Sequence, residues 1–247
     1  MLHLKEKNIL ITGASSGIGR EAAILASKLG AKVFLTARNN ERLKETQKSL
    51  KGKEHKSFVA DLKNENEIST LAKNLPPLNG IVHCAGMVKS MPVKFIQQKH
   101  IDEVMQTNFN SAVILTSHLL KEKKILPQAS IVFISSVSSA HPYRGGALYV
   151  SSKAALEAYC RTVAMELAPQ KIRANCLSPA LVKTQIFHET EAANSKEEME
   201  KYEKQHLLGF GEPVDVANAI AFLLSDESRW ITGQNIILDG GLLLNRI

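Results

Sequence analysis

The chain has 247 residues, 44% of them hydrophobic and 22% charged, a balance that excludes a disordered, collagen-like or membrane-embedded protein. No apolar run approaches the roughly 18 residues of a membrane span, and Cys84, Cys160 and Cys176, far apart and without metal-ligand spacing, point to neither disulfide nor zinc. The net charge of +7 suits an anionic partner such as a phosphorylated cofactor, an acidic carrier protein or nucleic acid, or is lysine scattered over solvated helices.

Met1 to Lys7 lacks the basic, apolar and small-residue pattern of a secretory signal, so cytoplasm is the expected location. Strand-like runs then follow at Asn8 to Thr12, Lys32 to Ala37, Lys56 to Val59, Gly80 to Cys84, Ser130 to Ser135, Ile172 to Ser178 and Asn235 to Leu238. Nearly continuous apolar runs of this kind suit strands buried on both faces. Between them, Gly19 to Leu29, Glu41 to Leu50, Glu65 to Leu75, Ile101 to Glu122, Leu148 to Leu167 and Asp215 to Leu224 place apolar residues at helical spacing. Alternating strands and crossover helices predict one domain over 1–247, an α/β fold with a doubly wound parallel sheet of about seven strands in three α/β/α layers. Lys183 to Glu212 breaks the alternation, and a long connection of this kind is expected to be a substrate lid.

Between the first strand and the first helix stands Gly13-Ala14-Ser15-Ser16-Gly17-Ile18-Gly19. Strand, glycine-rich turn and helix together form a setting for a pyrophosphate, which meets free backbone N–H groups and the positive end of the helix dipole. Gly13 allows the tight turn, Gly17 the approach of backbone to phosphate, and Gly19 the packing of helix on sheet. Ser15, Ser16 and Ile18 complete this group of candidate cofactor contacts. The second strand closes with Thr36-Ala37-Arg38-Asn39. A carboxylate there would bond a ribose 2′-OH, whereas Arg38 offers a rigid fork of donors to a 2′-phosphate, so Arg38 and Asn39 indicate NADP(H). The alternative is an Arg38 that merely faces solvent.

Farther on, Tyr149 and Lys153 stand four apart in a helical segment, hence one turn apart on one face, and Ser136 follows the fifth strand. A free phenol titrates near ~10, and a cation within about 4–6 Å moves an acid by roughly one to three units toward its charged form. Lys153 is therefore expected to bring Tyr149 toward neutral pH for general acid–base work.

Thr12-Gly13-x-x-x-Gly17-x-Gly19, together with Ser136 and Tyr149-x-x-x-Lys153, resembles the short-chain dehydrogenase/reductase family. The resemblance runs from Thr12 to Gly241 and includes Thr232-Gly233-Gln234 and Asp239-Gly240-Gly241 near the end. It implies a Rossmann-type fold and hydride transfer between NADP(H) and a carbonyl or secondary alcohol. By the same resemblance Tyr149 is the acid in reduction and the base in oxidation, Ser136 holds the carbonyl oxygen, Lys153 also orients the nicotinamide ribose, and Asn108 positions a water in the proton relay. It further implies Asp61 and Leu62 at the adenine, Cys84, Ala85 and Gly86 along the cofactor, and Pro179, Val182 and Thr184 at the nicotinamide. Three positions depart from the pattern: His83-Cys84 stand where the family has Asn-Asn, and Ala180 replaces a glycine. His83 is either a catalyst or a packed, hydrogen-bonded residue.

The layout is similar to 3-oxoacyl-carrier-protein reductases, and also to hydroxysteroid and sugar or polyol dehydrogenases; a dinucleotide-sensing protein without chemistry is the non-enzyme alternative. Lys121, Lys123, Lys124 and Lys171 are candidates for docking an acidic carrier, although Gln128-Ala129-Ser130 lacks the family's basic step before the fifth strand. A small-molecule or acyl-thioester carbonyl is the expected substrate, with no nucleic-acid, membrane or metal partner. The resemblance implies a homotetramer or dimer built on the helices at 101–122 and 148–167 and the C-terminal segment, where Leu242 to Leu244 suits a subunit contact or an internal one.

Overall fold

Runs rich in valine, isoleucine and leucine extend as strands because branched side chains fit a pleated surface buried on both sides. A computed structural model describes residues 2–192 and 194–245, so Met1, Ala193, Arg246 and Ile247 of the ranges above lie outside the described residues. The strands are β1 (Asn8–Thr12), β2 (Lys32–Ala37), β3 (Lys56–Val59), β4 (Leu78–His83), β5 (Ile125–Ile134), β6 (Arg173–Pro179) and β7 (Asn235–Leu238). They pair in parallel as one seven-stranded sheet ordered β3-β2-β1-β4-β5-β6-β7. The chain winds outward from β1 in both directions, so a crevice opens beyond the carboxyl ends of β1 and β4, where the direction reverses.

The helices are α1 (Gly17–Lys28), α2 (Asn40–Lys48), α3 (Glu65–Asn74), α4 (Gln98–Met105), α5 (Ser111–Lys121), α6 (Ala147–Leu167), α7 (Gln185–Ala192), α8 (Lys196–Gln205) and α9 (Pro213–Leu224). Small residues of α1, Ala22, Ala23 and Ala26, pack with Ile220 and Leu224 of α9 over one sheet face. Leu115 and Leu119 of α5 and Leu156, Cys160 and Val163 of α6 cover the other. Each fully buried leucine or isoleucine contributes about 1.5–3 kcal/mol relative to exposure.

Four segments differ in kind or register from expectation, beyond shifts of one or two residues at other ends. β4 starts at Leu78, with its register to β5 shifting between Leu78 and Gly80, and the Asn79 side chain accepts the Asn8 amide at 2.9 Å. β5 starts at Ile125 and crosses Pro127 and Gln128, the latter at φ 65°, polar punctuation that hides a strand from its pattern. The helix expected at 101–122 is α4 and α5 joined by a wide π turn, Gln106–Asn110. The connection 183–212 folds as α7 and α8, and its base is clipped: the Lys183 amide donates to Gly211 O at 2.8 Å, the Gly211 amide donates to Leu181 O at 3.1 Å, and Lys183 pairs with Glu212 at 2.9 Å. At the tail Leu242 is fully buried while Leu244 is exposed, so Leu242 makes the internal contact.

Candidate active site

The glycine turn is built as its spacing demands. Gly13 has φ 63°, a left-handed conformation that side chains disfavour, and a Cβ there would stand 2.9 Å from the Ala85 amide nitrogen. A Cβ on Gly19 would meet the Gly13 carbonyl oxygen at 2.5 Å, so any side chain would force the helix off its strand. The turn and the N-terminus of α1 border a cleft of about 820 Å³, lined also by Ser15, Ser16, Gly17 and Ile18. Such a cradle of free backbone and helix dipole fits a dinucleotide pyrophosphate.

At the other end the wall holds Arg38, Asn39, Asp61 and Leu62. Asn39 caps α2, its Oδ1 accepting the Arg42 amide at 3.0 Å. Two cations that sequence reading missed join Arg38: Arg42 in the first turn of α2 and Lys63 after β3. The signal for Arg42 was available as a basic residue four beyond Arg38. Asp61 turns its carboxylate to the Lys63 amide at 3.0 Å.

Cys84, Ala85, Gly86 and Thr184 line the cleft, and Met87, Val88, Thr107, Ser111, Gln185 and Ile186 are further lining residues that spacing did not reveal. Pro179, Val182, Tyr149 and Lys153 lie outside this lining. Val182 is buried in the clip opposite Gly211. Ala180, in the glycine's place, has no positive φ, and its amide donates to Leu238 O at 2.9 Å, so the substitution costs the backbone nothing.

Asn108 sits in the π turn, a feature frequent at functional sites. Its Nδ2 donates to Met87 O at 2.9 Å and to Ser152 Oγ at 3.0 Å, and its Oδ1 accepts the Met87 amide at 2.8 Å. The buried amide thus ties the loop after β4 to α6.

Ser136 caps a short turn, Val137–Ser139, with its hydroxyl accepting the Ser138 amide at 3.2 Å. The Ser136 hydroxyl stands beside the Tyr149 phenol and favours its charged form. Lys153 lies with Nζ 5.7 Å from the centre of the Tyr149 ring and donates to Ile134 O at 2.7 Å. Burial pushes the Tyr149 phenol up to about 12, the reverse of the expected direction, although the neighbouring Ser136 hydroxyl lowers it. Desolvation of a charged phenolate outweighs the help from Ser136, and Tyr143 adds to the rise. Burial also brings Lys153 down to about 8, opposed by Cys84, Cys176 and Glu157.

His83 is no catalyst. Its ring stacks on Phe133 at 4.9 Å and Nε2 meets Thr116 Oγ1 at 3.1 Å. Burial pulls it down to about 3, and pushes the Cys84 thiol up to about 12, leaving it protonated. Because the unfolded histidine takes its proton near 6.5 and the folded one near 3, stability is full above about pH 6.5 and is lost on acidification. His83→Gln is therefore expected to flatten the pH dependence of unfolding free energy between pH 6 and 4 by up to about 1.4 kcal/mol per pH unit. Denaturant melts at several pH values check this; equal slopes for both proteins would refute it.

A model of the family described as Enoyl-(Acyl carrier protein) reductase matches residues 13–243. Over 244 residues the chain is 34% identical to a 3-oxoacyl-(acyl-carrier-protein) reductase of Rickettsia felis, covering 99% of this chain and 100% of that protein. The chain belongs to the short-chain dehydrogenase/reductase family. It is 31% identical to an L-xylulose reductase of Caenorhabditis elegans, with 97% of each chain covered. A short-chain type dehydrogenase/reductase from Mycobacterium ulcerans superposes with a TM-score of 0.89 at 28% identity, over 98% of this chain and 92% of that one. As a short-chain dehydrogenase/reductase this protein is an oxidoreductase working between carbonyl and alcohol with a nicotinamide dinucleotide. Among the described residues no helix is long and apolar enough to cross a membrane.

Proposed function

We propose that this enzyme reduces a 3-oxoacyl thioester, presented on an acyl carrier protein, with NADPH. The observation that carries the reading is buried Lys153 held 5.7 Å from the centre of the Tyr149 ring, with buried Ser136 beside the phenol. Full-length likeness to the Rickettsia felis reductase supports the substrate class. A ketose is the second reading, favoured by the likeness to L-xylulose reductase.

Arg38, Arg42 and Lys63 give the adenosine end three cations for a 2′-phosphate. Gly13, Ser15, Ser16, Gly17, Ile18 and Gly19 hold the pyrophosphate, Asn39, Asp61 and Leu62 border the adenosine, and Cys84, Ala85, Gly86 and Thr184 complete the binding surface, with Pro179 and Val182 behind it. When bound, the nicotinamide supplies the hydride. Ser136 holds the substrate oxygen with its hydroxyl. Tyr149, kept protonated by burial, donates its proton to that oxygen as negative charge develops there. Lys153 stabilises the phenolate left behind and orients the ribose, and Asn108 positions a water that returns a proton.

Residues 1–247 act as one domain in this reading, with 183–212 as a lid carried on the clip at Val182 and Gly211. We infer a homo-oligomer, dimer or tetramer; exposed Met165 at the end of α6 and exposed Leu244 are apolar surface that a second subunit would cover. The free thiols of Cys84, Cys160 and Cys176 suit a reducing cytoplasm. The test is NADPH consumption with a panel of acyl thioesters, steroid ketones and ketoses. Turnover is expected to be highest on 3-oxoacyl thioesters; a higher kcat/KM on ketoses would replace the first reading by the second.

A further inference from the structure

Glu157 has no part in the chemistry above, yet it lies on α6 one turn beyond Lys153 and two beyond Tyr149, on the same face. A single carboxylate oxygen, Oε1, faces three serine hydroxyls and accepts from two of them. Ser135 at the end of β5 donates at 2.6 Å and Ser139 at the end of the turn after Ser136 at 2.5 Å, while Ser178 near the end of β6 lies 3.3 Å away with its proton directed to Asn235 Oδ1 at 2.7 Å. Ser135 and Ser139 bracket Ser136, and Ser178 precedes Pro179.

The same hydroxyls reach backbone on both sides of the site: Ser139 Oγ lies 2.8 Å from Ser136 O, and Ser135 Oγ lies 3.3 Å from Lys153 O. Glu157 is half-buried beside buried Leu156 and Cys160, and the hydroxyls replace the water that its carboxylate gives up. Hydrogen bonds to an ionised acceptor are shorter and stronger than neutral ones.

We propose that Glu157 is a positioning residue of the active site, its carboxylate fastening the helix of Tyr149 and Lys153 to the end of β5 and to the Ser136 loop. Without it the Ser136 hydroxyl loses its fixed relation to Tyr149, while the cofactor cradle on β1 and α1 is untouched. The inference rests on the hydride-transfer reading for its kinetic consequence, but its structural consequence stands apart from that reading.

Glu157→Ala and Glu157→Gln in the full chain test it by amide hydrogen exchange, NADPH titration and steady-state kinetics. In Glu157→Ala, exchange at residues 136–140 is expected to accelerate at least about tenfold and kcat to fall about 10- to 100-fold, the range that small misplacements cost. NADPH affinity stays within about twofold. Glu157→Gln keeps a carbonyl acceptor and restores both readouts to within about threefold. Should Glu157→Ala fail to fold, Ser135→Ala/Ser139→Ala removes both short bonds, and the same acceleration at 136–140 is expected. Unchanged exchange there in whichever variant folds overturns the proposal, as does a Glu157→Gln no better than Glu157→Ala. Absence of carbonyl turnover by the wild type instead defeats the functional reading, and exchange still decides the role of Glu157.

Discussion

Tyr149→Phe lowers kcat for carbonyl reduction by about 10²- to 10⁴-fold, the usual worth of a positioned acid. The substitution removes one oxygen and keeps the ring under Lys153. Removing one half-buried hydroxyl changes stability by about 1 kcal/mol, so folding survives and NADPH titrates within about threefold of wild type. Because burial raises the phenol to about 12, it holds its proton across the neutral range, which suits it to reduction. Steady-state rates with thermal melts separate the effects. Retention of kcat within tenfold, with folding intact, would mean that the proton comes from another group.

Arg38→Ala separates the two dinucleotides. NADPH affinity is expected to fall about 10- to 100-fold, from loss of a charge-assisted fork on a phosphate, while NADH affinity changes less than about twofold. Arg38 is exposed, so the loss shrinks as salt rises. Arg42 and Lys63 share the wall, and Arg38→Ala/Arg42→Ala deepens the same selectivity. Fluorescence titration of both cofactors reads it; equal loss for NADPH and NADH contradicts the 2′-phosphate reading.

The fold was legible because each level agreed with the next. Continuous apolar runs marked strands, glycines at fixed offsets marked the first crossover, and the resemblance supplied the winding. Strand ends were hidden where polar residues continue the ladder, as at Pro127 and Gln128 in β5. The π turn at Gln106–Asn110 was hidden because one wide turn leaves the apolar spacing on either side intact. In the site, local spacing disclosed the Tyr149 and Lys153 pair but not the sign of the phenol's shift, which depends on depth of burial. Glu157 was invisible for a different reason. Its partners lie 22, 18 and 21 residues away, on three elements that only the assembled sheet brings together.

The most direct test of hydride transfer uses NADPH deuterated at both C4 positions, with a 3-oxoacyl thioester or a ketose, and mass analysis of the product alcohol. The wild type is expected to give alcohol bearing one deuterium on the former carbonyl carbon, and Tyr149→Phe little or none. Alcohol without deuterium there, or no alcohol from any carbonyl tried, would contradict the account.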